Sequence, residues 1–504
     1  MALIHLALTP WVKLFLYNGD SITLALLVRS VLSGEPFHWV LSSQLFIFPE
    51  GPIYFVCQLI AGNPKYALFL NAFLNIAILF IGYRSVARSF LASEKANWFA
   101  LLALLFVVFF MLCETRLEVN RGSIATLILF NTYYCGVIFS GLFLLALYGK
   151  GAISSCNGIK ARIFAVLAVL ITALTYLSDP LIFLQFSAPL VAVVLMLWIL
   201  GRMGGAQALF VTATQLLGVL CGGLLRGFFK KYIGASVDSY LHFDRLNLAI
   251  NDLSMVIQTV KISRLNVIEY LVIFLILTSI ALLSLYLLNY RRARFFGNSR
   301  RITGFLLVVL LFSVVSPIVI VLGVLLTGSF YTRYLLPVMF FTPLGLLSIF
   351  FSRRAGVLSA GLFVLLFASV LVLSGRTLLD GNWSYMRSDD VDCFNAFMQK
   401  QKFDSLGGYW SARALDLYSD SPARVLQISG LAKQHWLNNA GAYEGHTFNG
   451  LIVDKGPITP NHVYATDAEK LGAYSEKGVC PNFDILYYGP QTDGFKALNA
   501  IARK

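Results

Sequence analysis

Runs of roughly 20 mostly apolar residues recur along residues 1–374, and this repetition limits the possible folds more than any other feature. Eleven runs are read, at about 2–16, 66–83, 97–113, 124–148, 163–178, 181–200, 207–224, 267–289, 303–327, 334–351 and 356–374. A chain built this way is expected to be a mostly α, polytopic helical membrane protein, because only helices or closed barrels satisfy their backbone groups in lipid. Composition agrees. Of 504 residues, 58% are hydrophobic and 13% charged, against about 45–50% and about 25% in soluble chains. The 41 Phe, 23 Tyr and 7 Trp exclude disorder as the ground state.

The net charge is +14, and alternate loops account for nearly all of it. The segments near 84–96, 149–162, 201–206, 290–302 and 352–355 hold 14 Lys and Arg against one acid, Glu94. The rest of the chain carries 25 positive and 24 negative residues. By the positive-inside rule the basic loops face the cytoplasm, so the N-terminus is expected inside and everything after about residue 375 outside. A multi-pass protein of the plasma membrane follows. Basic residues this scattered and this close to spans do not make a nucleic-acid patch. Residues 1–20 contain Pro10 and Lys13 and lack a positive leader and a small-residue cleavage site, so they are read as a short first span, with a cleaved signal peptide as the competing reading.

Two regions are expected: a transmembrane domain, 1–374, with loops 17–65 and 225–266 on the outer side, and an extracytoplasmic α/β domain, 375–504. The tail has 13 positive and 14 negative residues and strand-like runs at Arg424 to Ile428, Leu451 to Val453 and Asp484 to Tyr488. It contains two of the seven cysteines, Cys393 and Cys480, which either pair in an oxidising compartment or stand as thiols. No Cys or His spacing resembles a structural zinc site, and no metal ligands are assigned.

Candidate functional residues lie in the loops of the outer side. Asp20 follows the first span in YNGDSITLALLVRS and opens an amphipathic helix from about Ser21 to Leu32. It either caps that helix or acts as a base at the water–lipid boundary. Glu50, between Pro49 and Gly51 in FPEGPIYF, is either functional or a solvated turn residue. Arg226, Lys230 and Lys231, with Phe228, Phe229 and Tyr232, suit a helix lying in the interface with cations toward phosphate, or a plain surface helix. Asp179 in YLSDPLIF either binds substrate or caps the next span. Tyr409, Trp410, Trp436, Asn438 and Asn439 either stack on an acceptor sugar or form domain core.

This arrangement resembles the GT-C superfamily of membrane glycosyltransferases that use polyprenyl-phosphate sugars, protein O-mannosyltransferases and lipid A aminoarabinose transferases among them. Asp20 matches the family's acid after the first span, with Ser21 where a Glu usually follows, and Phe48 to Phe55 looks like its Pro-rich segment. A second acid on the next outer loop is offered by Glu114 and Glu118 in CETRLEVNRGS. The resemblance implies a polyprenyl-phosphate sugar donor, a glycan, lipid or protein acceptor, and a bacterial inner-membrane setting; it leaves any cofactor unknown. Asp20 would be the base. Displacement of a polyprenyl phosphate also needs a cation facing the leaving group, and Arg333 in YTRYLLP is the first choice, ahead of Lys230 and Lys231. The alternative for Arg333 is snorkelling to headgroups. Against this stand a transporter or flippase, for which Pro317 is the one candidate helix break, and a scaffold without chemistry. No P-loop, GxSxG, HExxH or haem motif is present.

Overall fold

The computed structural model describes residues 1–114, 125–150, 159–234, 242–262, 304–328, 331–352, 356–456 and 461–503. The expected span at 267–289 and Glu118 lie outside the described residues. The chain begins with α1 (Ala2–Leu8), α2 (Trp11–Tyr17), α3 (Thr23–Leu32), α4 (Glu50–Ala61), α5 (Pro64–Ala87) and α6 (Ser93–Cys113). It continues with α7 (Cys135–Lys150), α8 (Ile159–Ser178), α9 (Ala188–Ile199), α10 (Gly205–Phe228), α11 (Leu246–Ile262), α12 (Gly304–Leu326), α13 (Leu336–Ser352) and α14 (Gly356–Asp380). Among the described residues seven helices are long and apolar enough to cross a membrane, in α5, α6, α8, α10, α12, α14 and the stretch Arg333–Phe351.

Three expected spans are not single α-helices. The first divides at Thr9 and Pro10, because proline supplies no N–H to continue the ladder, and the Thr9 hydroxyl turns back to the carbonyl of His5 at 2.8 Å. The run at 124–148 starts as a 3₁₀ turn, Ala125–Leu129, and reaches α7 only after Tyr134 has taken a left-handed conformation with φ of 61°. The run at 181–200 enters α9 through a π-helical turn, Phe183–Ser187. Pro317, by contrast, lies inside an uninterrupted α12. The interfacial helix expected over 225–266 is not one element: α10 ends at Phe228, a 3₁₀ turn covers Lys230–Tyr232, and another, Phe243–Arg245, leads into α11.

Beyond α14, which runs past the expected boundary to Asp380, the chain forms a six-stranded sheet. With β1 (Trp39–Val40) assigned to the first loop, the domain comprises α15 (Asp389–Lys400), β2 (Asp404–Gly408), α16 (Tyr409–Tyr418), β3 (Val425–Ser429), β4 (Ala432–Lys433) and β5 (Asn438–Asn439). After these come β6 (Phe448–Asp454), α17 (Ala465–Leu471), β7 (Glu476–Val479), β8 (Phe483–Tyr487) and α18 (Asp493–Arg503). The order is β4-β3-β2-β6-β8-β7, with β2 parallel to both β3 and β6, so α16 is the crossover of a βαβ unit. Alternate side chains feed two apolar layers: Leu426, Leu451 and Leu486 face α18, while Val425, Ile452 and Ile485 face α15. Cys393 and Cys480 form a disulfide.

The domain is seated on the first loop. Tyr409, Ala414, Leu417 and Leu437 belong to the same buried apolar cluster as Phe15, Ile22 and Leu24. Strand β1 pairs antiparallel with β5, Trp39 opposite Asn439. Between these contacts Asp416 of α16 takes both Arg29 of α3 and Arg424, and Arg424 reaches Glu35 at 2.6 Å. Burial pushes the Asp416 carboxyl up, but the charges and hydrogen bonds of Arg29 and Arg424 outweigh it and hold the group at about 2.

This clamp is expected to set the acid limit of the fold. A depressed carboxyl contributes stability that is complete above its ordinary value near 4 and disappears as pH falls to about 2. Asp416→Asn should therefore destabilise the detergent-solubilised protein at pH 7, by about 2–4 kcal/mol once partial exposure of the two guanidiniums is allowed for, seen as a lower melting temperature. The same variant should show a flatter melting curve against pH between 4 and 2; an unchanged slope would count against the clamp.

Candidate functional site

Asp20 stands in the turn between α2 and α3. The Asn18 side chain caps that turn, accepting from the Asp20 N–H at 3.0 Å, and the backbone carbonyl of Asp20 accepts from Thr23. The first residue before α3 is Ile22, with no side-chain cap, so the Asp20 carboxylate is not consumed by the helix end. Instead Oδ1 accepts from the hydroxyl of Tyr409, at 2.6 Å, and among the described residues Oδ2 accepts no hydrogen bond. Asp20 is half-buried, whereas Tyr409 is fully buried.

Arg333 precedes α13 in a 3₁₀ turn, its guanidinium 5.0 Å from the ring of Tyr331 and 5.7 Å from that of Tyr334. Its charge interacts with Tyr133, Tyr134, Tyr334 and Asp20, and Tyr133 interacts with Asp20 in turn. The cation and the acid singled out from the sequence thus occupy one electrostatic neighbourhood, joined by the tyrosines that interrupt the run at 124–148. The Arg333 Nε is buried and makes no hydrogen bond among the described residues. A cation lying against two aromatic rings with an N–H that has no partner among the described residues is suited to an anionic ligand.

Behind this pair lie two buried carboxyls. Glu50 starts α4 and is only 3% exposed, so it is not a solvated turn residue; its Oε1 accepts from the Gly136 N–H at 2.9 Å and its Oε2 has no partner among the described residues. A Cβ at position 136 would lie 2.4 Å from that Oε1, so only glycine admits the contact. Burial, reinforced by Asp179, pushes the Glu50 carboxyl to about 8. Asp179 accepts from Leu181 at 3.0 Å, as a cap, while its Oδ2 has no partner among the described residues. Burial raises it to about 7 against the pull of that hydrogen bond and of Arg226. Arg226 itself donates to the carbonyls of Leu177 and Ser43, tying α10 to this corner.

The other sequence candidates separate from this centre. Glu114 is buried, with Oε1 accepting from the N–H of Ala125 at 2.7 Å and Oε2 from Thr126, so both oxygens secure the 3₁₀ turn rather than face a substrate. Lys230 and Lys231 are exposed, Lys231 lying 4.8 Å from the ring of Tyr232. Asn438 and Asn439 are buried in the domain contact, and Tyr409 is covered too, so these three do not offer a face to an acceptor. Among the described residues no three His, Cys, Asp or Glu side chains gather as a metal site. The sequence alone did not single out Tyr133 or Tyr134. The signal for the tyrosines is NTYYCG, Asn131 to Gly136, a polar interruption inside an apolar run.

Neither a family model nor a curated protein matches this sequence. Among solved structures, ArnT from Cupriavidus metallidurans in the apo state is similar over 94% of this chain and 94% of its own, at 13% identity and a TM-score of 0.43.

Glu50 provides a sharp check on the buried corner. A carboxyl raised from 4.5 to about 8 penalises the fold progressively as pH rises through that window, because the unfolded chain ionises first. Glu50→Gln keeps an acceptor for Gly136 and cannot ionise. Its melting temperature relative to the native protein should climb between pH 5 and pH 8 and level off above; a constant difference would show that Glu50 is already ionised at pH 5.

Proposed function

We propose that this chain is a membrane glycosyltransferase of the GT-C type, moving a sugar from a polyprenyl-phosphate carrier to an acceptor hydroxyl at the outer membrane face. The observation that carries the reading is the shared neighbourhood of Asp20 and Arg333 beside a set of apolar helices. One oxygen of Asp20 is fixed by Tyr409 and the other is available to an acceptor O–H. In a single displacement that O–H bond breaks, its proton passes to Asp20, the acceptor oxygen bonds the anomeric carbon, and the bond from that carbon to the carrier phosphate breaks with its electron pair on phosphate. Arg333 meets the charge that develops there. The anomeric centre inverts. The domain that covers Asp20 limits water at the base, and the acceptor enters from the half-exposed side.

A transporter remains the competing reading, favoured by the broken first and fourth apolar runs and by buried acids. The continuous helix through Pro317 removes the break that the sequence offered it.

Asp20→Asn in full-length protein should abolish sugar transfer from a panel of short-chain polyprenyl-phosphate monosaccharides, with folding and membrane insertion intact. Arg333→Ala should lower kcat/KM for the donor by about 10²- to 10³-fold, the scale of losing one charge-stabilising group. Full transfer activity in Asp20→Asn would overturn the reading. Reconstituted protein that moves the lipid-linked sugar between leaflets without cleaving it would establish the transporter.

A further inference from the structure

We infer that Tyr409 of the C-terminal domain is a positioning residue for Asp20, so that the domain supplies part of the catalytic centre. The inference rests on the proposed reading of Asp20 as the base. Tyr409 is buried at the β2–α16 junction and reaches no solvent, so it does not meet an acceptor; it acts through the carboxylate to which its hydroxyl donates.

The contact is built rather than incidental. The Tyr409 ring lies against the backbone of Gly19, and a Cβ at that position would come within 2.6 Å of Cε1. Residue 19 must therefore lack a side chain for the phenol to reach residue 20. The ring is fixed from its other sides by the Arg413 guanidinium at 4.8 Å, Trp410 at 4.8 Å and Trp436 at 5.3 Å, and its backbone N–H donates to Asn461 at 2.8 Å. Arg413 is held in turn by Thr23 at 2.8 Å and Gln427 at 3.0 Å. A buried phenol needs a partner, and the backbone offers many. Here the partner is a side chain 389 residues away, a carboxylate that does not cap the helix beside it.

Two chemical consequences follow. Holding Oδ1 fixes the carboxylate plane and points Oδ2 toward the acceptor; a rotating carboxylate would lose that alignment. A hydrogen bond donated to a carboxylate also favours its charged form, which is the form a base needs. The other groups facing Asp20 are Tyr133, from the segment before α7, and Arg333, from the turn before α13. During transfer Tyr409 keeps its proton, and the acceptor's proton goes to Oδ2.

The test uses full-length protein in nanodiscs with Tyr409→Phe and Gly19→Ala; the second displaces the phenol without deleting its hydroxyl and carries the test should the first fail to fold. Transfer from short-chain polyprenyl-phosphate monosaccharides is followed against pH. Labelling of protonated carboxyls by a water-soluble carbodiimide, without donor, is read at Asp20 by peptide mass spectrometry. Both variants should lose about 10-fold or more in kcat with donor KM unchanged. The acidic limb of activity and the labelling midpoint at Asp20 should move up by about one pH unit, equivalent to about 1.4 kcal/mol, with labelling of Glu50 unchanged. Loss of activity with an unmoved midpoint and unmoved profile would reduce Tyr409 to packing and overturn the inference. A shifted midpoint at Asp20 together with an active Asp20→Asn would overturn the base assignment instead, leaving the contact but not its catalytic meaning.

Discussion

The partly buried ion network of Arg29, Asp416, Arg424 and Glu35 is the constraint on which the candidate site depends. Buried charge sets are weak sources of stability, since desolvation consumes most of their Coulomb gain, but they tolerate little misalignment. Here the network fixes α3 beside α16. Thr23 in the first turn of α3 meets Arg413, and Arg29 near its end meets Asp416, so the two helices run side by side in the same sense. Their N-terminal ends carry Asp20 and Tyr409. An error in docking the domain is transmitted directly to the hydrogen bond at Asp20.

The apolar fold was largely legible because spans announce themselves by length. The division of the first run at Pro10 was visible as a proline but not as a helix boundary. The break at Tyr134 was not read, since a left-handed tyrosine leaves no local signature beyond the polar residues around it. Three strands of the sheet, β3, β6 and β8, were legible as short runs between turn residues, whereas β2, β4 and β7 were not read. The disulfide was left open because pairing depends on how α15 and β7 approach one another, which spacing does not encode.

The candidates were legible by position and their partners were not. Asp20 and Arg333 were singled out because each stands where a charged group meets the end of an apolar run. Tyr409 was noted only as one aromatic among several, because its contact with Asp20 spans nearly the whole chain. Glu114 misled for the opposite reason. An acid at a span end resembles a ligand group, yet its oxygens are committed to the 3₁₀ turn that follows.

The three acids of this region differ by environment rather than by type. Glu50 and Asp179 are enclosed, each with an oxygen lacking a partner among the described residues, and burial holds them substantially protonated near neutral pH. Because each disfavours ionisation of the other, the pair carries at most about one charge, and it is suited to hydrogen bonding with a polar headgroup rather than to taking a proton from it. Asp20 is half-exposed, and one of its oxygens accepts from a buried phenol. A half-exposed carboxylate at the rim and enclosed, largely protonated acids in the interior give this corner a direction: on the proposed reading, the acceptor would be activated on the side open to solvent and the donor headgroup read on the side closed to it.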